Sequence, residues 1–267
     1  MLLMSAKIEQ YYAHRVKNIF NHLHNFEIEI TETSIHDFRV EIKKTKALIK
    51  FLRSIYGKQE TKKLKQLIDA LFQEAGDSRE MQLIQNWLTE NHLTEIQTKY
   101  FPPANIRIAL NSFSKKLPEF KLKLDKALPD CLKILEKTNQ ITVEQYVLKL
   151  RHTIEKKIQK KITEDELHEF RKLLKQWMYS LNWVSEKEKT KTNYLFSYCN
   201  KLQESIGVWH DNLIIQKNLL EKKIHLAKEI EVQREYVFAL QKLHQSLKSA
   251  ELDIKHQIKN YQRTEIT

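Results

Sequence analysis

The chain has 267 residues, 41% of them hydrophobic, with 46 lysines and arginines against 34 acids and a formal net charge of +12. That is enough apolar material to bury a core, but three glycines and four prolines are too few turn-formers for a strand-rich fold, which needs a turn every ~8–12 residues. The basic excess points to an anionic partner, such as a phosphate polymer, nucleic acid or an anionic membrane surface; a lysine-rich surface with no partner is the plain alternative.

In chain order, the apolar run at Met1–Ala6 is too short for a signal peptide, and no stretch approaches the ~18 uncharged apolar residues of a membrane span. A soluble, cytoplasmic protein is expected. Residues 5–26 carry Tyr11, Tyr12, Val16, Ile19, Phe20 and Leu23 at helical spacing and predict a first helix. A second should begin near Ser34, with Asp37 three residues on as capping-box partner, and close at Gly57. A third covers about 60–90, and a fourth follows Pro102-Pro103, since proline suits a helix start. Pro118 and Pro129 read as punctuation before a second set of about four helices, which opens near residue 141. There Thr163 and Glu166 form the analogous box ahead of His168. Lys, Glu, Leu, Ile and Gln dominate and are mostly good helix formers, so the expected class is all-α. Cys131 and Cys199 stand far apart, suggesting neither a disulfide framework nor a zinc site.

The sequence resembles itself at a spacing of about 132 residues. Ile35-His36-Asp37-Phe38-Arg39 returns as Leu167-His168-Glu169-Phe170-Arg171, and Lys43 matches Lys175. Offset by 131, Glu74-Ala75-Gly76-Asp77-Ser78-Arg79-Glu80 is echoed by Ser205-Ile206-Gly207-Val208-Trp209-His210-Asp211. Matching motifs in matching order imply a duplication, with one domain over 1–267 made of repeats at about 1–135 and 136–267. Two packed helical bundles with a pseudo-twofold relation are expected.

On the second helix His36, Arg39, Lys43, Lys46, Lys50 and Arg53 step by three and four residues. They share an arc of about 100° and run about 26 Å along the axis. Lys44 broadens the row, and an apolar stripe of Ile35, Phe38, Ile42, Ile49 and Leu52 flanks it. The second copy keeps the stripe (Leu167, Phe170, Leu174, Trp177, Leu181, Val184), but its cationic row stops at His168, Arg171 and Lys175, with Lys172 alongside. A solvated face normally interleaves acids at i, i+4, and this row has none, so a polyanion site is the stronger reading. His36 is expected in the first turn of its helix, where free N–H groups also favour an anion.

Other chemistries find little footing. Isolated glycines make no P-loop or dinucleotide turn, so no cofactor is implied. A metal at His36 or His168 would be repelled by Arg39 or Arg171 and lacks completing ligands. Trp177, Trp183 or Trp209 at a protein interface is a further alternative, although tryptophans at helical spacing usually fill cores.

With both motifs present twice, the chain resembles the CHAD family, the conserved histidine α-helical domains, over essentially its whole length. The family pattern is met by His36, Arg39, Lys43, Lys44 and Lys46, then Gly76, Arg79 and Glu80. It is met again by His168, Arg171, Lys175 and Tyr179, then Gly207, His210 and Asp211. The resemblance implies two tandem four-helix bundles facing a basic channel, non-catalytic binding of inorganic polyphosphate, and association with polyphosphate granules. Glu80 replaces the usual Asp and should accept a bond from a basic neighbour. Gln176 and Met178 stand where basic residues are usual, and lysine replaces arginine at most positions, which trades bidentate geometry for point charge. Nucleic acid binding is the alternative use of the same charge, but the positions beside the row are Ile and Lys rather than stacking aromatics. A phosphate-metabolising enzyme would need carboxylates for Mg²⁺, and Glu80 and Asp211 are the only motif acids.

Overall fold

The computed structural model describes residues 6–264, so residues 1–5 of the N-terminal apolar run lie outside it. Among the described residues the chain is all-α. Four long helices precede residue 136: α1 (Ala6–Asn25), α2 (Glu32–Tyr56), α3 (Lys62–Glu90) and, after the short α4 (Thr94–Tyr100), α5 (Ala104–Leu135). Four more follow: α6 (Gln140–Ile158), α7 (Glu164–Ser180), α9 (Asn193–Glu221) after the short α8 (Glu186–Thr190), and α10 (Ile230–Thr264). Short 3-10 turns at Leu181–Trp183 and Ile224–Leu226 complete the order. None of these helices is long and apolar enough to cross a membrane.

The start of α2 differs from expectation. Its N-cap is Thr31, whose hydroxyl accepts the Ser34 N–H at 3.1 Å while the Ser34 hydroxyl accepts the Thr31 N–H at 2.8 Å. Ser34 therefore closes the box rather than opening it, and Asp37 takes no part in it. Gly57 closes the helix with φ +90, a backbone that side-chain-bearing residues rarely adopt. At α7 the Thr163 N–H and hydroxyl both donate to Glu166 at 3.0 Å, which is the Glu166 half of the expected box, while the Glu166 N–H donates to the Thr163 carbonyl.

Pro118 and Pro129 do not interrupt the chain; both lie inside the 32-residue α5. Each forfeits one backbone bond, but Phe113, Leu117, Phe120, Leu124, Leu128, Cys131 and Leu135 form a continuous buried stripe. At about 1.5–3 kcal/mol for each large buried side chain, that stripe outweighs two lost bonds. α4 is capped from a distance: its N-cap residue Leu93 supplies no side-chain bond, and the Glu235 carboxylate of α10 accepts the N–H groups of Glu95 (3.1 Å) and Ile96 (2.9 Å) instead.

The chain forms two compact units, each drawing segments from both halves of the sequence. Unit 1 comprises Met1–Arg79, Ala109–Thr153 and Lys175–Tyr194; unit 2 comprises Glu80–Ile108, Ile154–Leu174 and Leu195–Thr267. The core of unit 1 is aromatic. Phe38 meets Phe26 edge-on at 5.2 Å and Phe113 at 6.0 Å, and Phe51 sits 5.5 Å from Trp183 and 4.9 Å from Tyr146. Aliphatic residues dominate in unit 2, where Ile84, Leu88, Ile96, Ile215, Leu219, Val232 and Leu243 are buried together.

Both predicted stripes are core. Ile35, Phe38, Ile42, Ile49 and Leu52 are buried on α2, as are Leu167, Phe170, Leu174 and Trp177 on α7, with Leu181 and Val184 following. Trp183 and Trp209 are buried as well, which removes these tryptophans as an adaptor surface. Cys131 and Cys199 are free and buried, and burial pushes each thiol up to about 12.

Candidate functional site

The N-cap at Thr31 moves His36 out of the first turn. It is the fifth helical residue of α2, as His168 is the fifth of α7. The unbonded N–H groups of a helix belong to its opening residues, so an anion at His36 must be held by side chains rather than by backbone.

The two motifs of each copy meet in space through an arginine and a glycine. Arg39 Nη1 donates to the Phe72 carbonyl at 2.7 Å, and Phe72 lies four residues before Gly76 on α3. Arg171 Nε donates to the Gln203 carbonyl at 3.0 Å, and Gln203 lies four residues before Gly207 on α9. A side chain on either glycine would collide: a Cβ at 76 would stand 2.9 Å from Arg39 Nη1, and one at 207 would stand 2.8 Å from Arg171 Nη2. Each glycine thus leaves a seat on its helix for a guanidinium from the neighbouring helix. The fixed spacing of the two sequence motifs follows from that contact. Its only trace in the sequence is that two of three glycines sit at equivalent places.

Unit 1 gathers most of the predicted cations. On α2, Lys43 is half-buried and His36 exposed, with Arg79 of α3 and Lys175 of α7 close enough to act on the imidazole. Partial desolvation lowers the pKa of His36. The charges of Arg79, Lys43 and Lys175 push the same way, and only Asp37 opposes them. Lys175, which the repeat assigns to the second copy, therefore works in unit 1 beside first-copy residues. Gln176, next to it, is buried and donates to the Ala47 carbonyl at 2.8 Å and the Tyr146 hydroxyl at 3.0 Å. Its role is to fasten α7 to α2, which explains why no basic residue stands there.

Acids reach other members of the α2 row from outside it. Lys46 pairs with Asp69 of α3 at 2.7 Å, and Asp69 also holds Lys65. Lys44 pairs with Glu41 at 2.7 Å, away from the row, and buried Glu41 in turn binds buried Arg15 of α1 through both oxygens at 2.8 and 2.9 Å. Lys50 is exposed, while Arg53 reaches the Lys58 carbonyl at 3.3 Å beyond the helix end. Phe72 was not foreseen: Arg39 lies 4.1 Å, Lys46 4.6 Å and Lys43 5.9 Å from its ring centre. Such cation–π contacts hold the charged heads over one patch of α3.

In unit 2 the imidazoles of His168 and His210 stack at 4.3 Å with an interplanar angle of 20°. His210 occupies the place that Arg79 holds in the first copy. Desolvation lowers the pKa of His168, and the neighbouring His210 and Lys172 act in the same direction. Lys172 is paired with Glu169 of its own helix. The motif acids engage neighbours: Glu80 accepts from the Asn218 amide at 2.8 Å rather than from a basic side chain, and Asp211 stands 3.9 Å from His210 Nδ1. Among the described residues, no three His, Cys, Asp or Glu side chains gather as a metal site would require.

Comparison with known proteins agrees with the all-α fold. The family model for the CHAD domain matches residues 14–220. A crystal structure of the CHAD domain from the plant Ricinus communis is similar, with a TM-score of 0.74 and 16% identity, over 96% of this chain and 91% of that one. No curated protein matches the chain.

Proposed function

The chain belongs to the CHAD domain family, and on that premise we propose that it binds inorganic polyphosphate without reacting with it. The observation that carries the reading is the convergence of His36, Lys43, Arg79 and Lys175 from three helices of unit 1, with Asp37 as the opposing acid. Cations gathered in this way favour an anionic ligand, and a linear polyanion meets several of them at once. Lys50 extends the charge along α2. Arg39 and Arg171, seated on Gly76 and Gly207, give each unit a fixed guanidinium beside its motif histidine.

Binding is driven by charge and counterion release. By analogy with other polyanions, log affinity falls with log salt by roughly 0.7–0.9 for each phosphate neutralised. No catalytic step is assigned. Mg²⁺-dependent phosphoryl chemistry needs free carboxylates near the substrate, and Asp69 is taken by Lys46 and Lys65, Glu80 by Asn218. A cytoplasmic location, with association to polyphosphate granules, belongs to the same proposal.

The test is titration of the purified protein with long-chain polyphosphate, and with DNA at matched phosphate concentration, at two salt concentrations. Tight, salt-sensitive binding that DNA does not match supports the reading. Equal binding of both shifts it to a general polyanion or nucleic acid binder. Shortening of the polymer over hours with Mg²⁺ would make the protein an enzyme.

A further inference from the structure

The two copies of the motif place different kinds of charge at the same point. In unit 1 the motif histidine, His36, lies within reach of the charges of Arg79, Lys43 and Lys175. In unit 2 the corresponding histidine, His168, faces His210 ring to ring at 4.3 Å. The replacement of arginine by histidine changes a fixed charge into one that depends on pH.

The surroundings of the pair supply one nearby carboxylate, Asp211, against two rings. From α7, His168 is approached by Lys172, Glu169 and Arg171, but Lys172 and Glu169 satisfy each other and Arg171 is seated on the Gln203 carbonyl. From α9 come His210 itself and Asp211, the latter 3.9 Å from His210 Nδ1. His168 Nδ1 is buried and has no hydrogen-bond partner. Two neutral imidazoles stack comfortably and one cation on a neutral ring is tolerated. Asp211 can offset one such charge, and two adjacent cations still repel unless a further anion is brought to them.

We infer that the His168–His210 pair makes the unit 2 face an acid-gated phosphate subsite, which offers the polymer Arg171 in mild alkali and further positive charge as pH falls. The unit 1 face, where Arg79 stands in place of the second histidine, is the constitutive subsite. This rests on the polyphosphate reading and adds its regulation. The internal units of the polymer are strong acids whose charge does not change in this range, so the pH dependence of binding comes from the protein. Binding and protonation are linked. The bound polymer raises the affinity of both rings for protons, so affinity for polymer climbs as pH falls through the bound-state midpoints and levels off below the free-state ones. Desolvation already holds the free His168 midpoint below the ordinary histidine value, which sets the acid end of the climb.

The experiment measures the affinity of long-chain polyphosphate at fixed ionic strength from pH 8.5 to 5.5, for the wild type and for His210→Arg, which restores the first copy's residue. Wild-type affinity should rise by about tenfold over this range, the gain expected from about one added charge-assisted contact. In His210→Arg affinity at pH 8.5 should already be raised, and the remaining slope, owed chiefly to His36, should be less than half the wild-type one. Alongside, NMR titration of the imidazole C–H signals in the wild type should show the His168 midpoint moving up when polyphosphate is added. A His210→Arg slope equal to the wild type's, or a His168 midpoint that polyphosphate leaves in place, would overturn the gate while leaving polyphosphate binding intact. Failure to bind polyphosphate at every pH would remove both readings together.

Discussion

Arg39 and Phe72 are joined by a 2.7 Å bond from a guanidinium nitrogen to a helix carbonyl, and the bond exists because residue 76 has no side chain. The same construction, Arg171 on Gln203 beside Gly207, recurs in the second copy. Gly76 and Gly57 therefore serve different purposes, one making room for a neighbour and the other supplying a backbone angle.

The two glycines should respond differently to alanine. In Gly76→Ala the helix gains about 1 kcal/mol of propensity and loses an Arg39 bond worth about 1–2 kcal/mol. Urea unfolding should thus move by about 1 kcal/mol or less, while polyphosphate affinity drops toward that of Arg39→Ala. Gly57→Ala, forced into φ +90, should cost about 1–2 kcal/mol with binding unchanged in the folded fraction.

Glu41 is the anchor between α1 and α2. It is buried with Arg15 and also receives Lys44 and Asn18. Glu41→Gln should lower unfolding free energy by about 3 kcal/mol, because it strands the buried guanidinium. A urea midpoint unchanged from wild type would contradict this packing.

Among the lysines, position in space should decide importance. Lys43→Ala and Lys175→Ala are each expected to weaken polyphosphate binding and to shallow the salt slope by about 0.7–0.9. Lys44→Ala, whose ammonium is engaged with Glu41, should leave both nearly unaltered. For the same reason the pair Lys43→Ala with Lys175→Ala should cost more affinity than Arg171→Ala with Lys172→Ala. Equal losses from the two pairs would mean that unit 2 carries as much of the polymer as unit 1.

Acid should loosen the free protein. Desolvation lowers the pKa values of His22, His36 and His168, with neighbouring cations adding to the effect at the last two. A histidine whose folded pKa lies below its unfolded one contributes full stability above the unfolded value, near 6.5. That contribution is lost as pH falls through 6.5 toward the folded value. The urea midpoint should therefore be lower at pH 5.5 than at pH 7.5, and saturating polyphosphate should narrow the gap. A midpoint that rises on acidification would contradict the direction of these shifts.

Much of the fold was legible in the sequence because it is written in local periodicity. The stripes Ile35–Leu52 and Leu167–Val184, the stop at Gly57 and the Thr163–Glu166 box all depend on neighbours within a turn or two. Thr31 was missed because Ser34 with Asp37 imitates a box one turn later, and the error carried His36 into a first turn it does not occupy. Pro118 and Pro129 misled because their local cost is visible in sequence while the burial that offsets it along α5 is not. The site was legible as a set of cations, but not as an arrangement. Asp69 and Phe72 come from another helix, and Lys175 and Gln176 act beside residues of the other copy. A wheel drawn for one helix contains none of these.

The carboxylate of Glu235, closing the exposed end of α4, bears on where this protein can be cut. The recognisable family signature ends at residue 220, and a designer trimming to it would remove α10 together with Val232, Tyr236, Ala239 and Leu243, which line the same core as Ile96 and Leu88. The fragment would keep every motif residue named for phosphate and still lack part of the frame that seats them. Heredity and architecture thus draw different borders on this chain, and an expression fragment should follow the second.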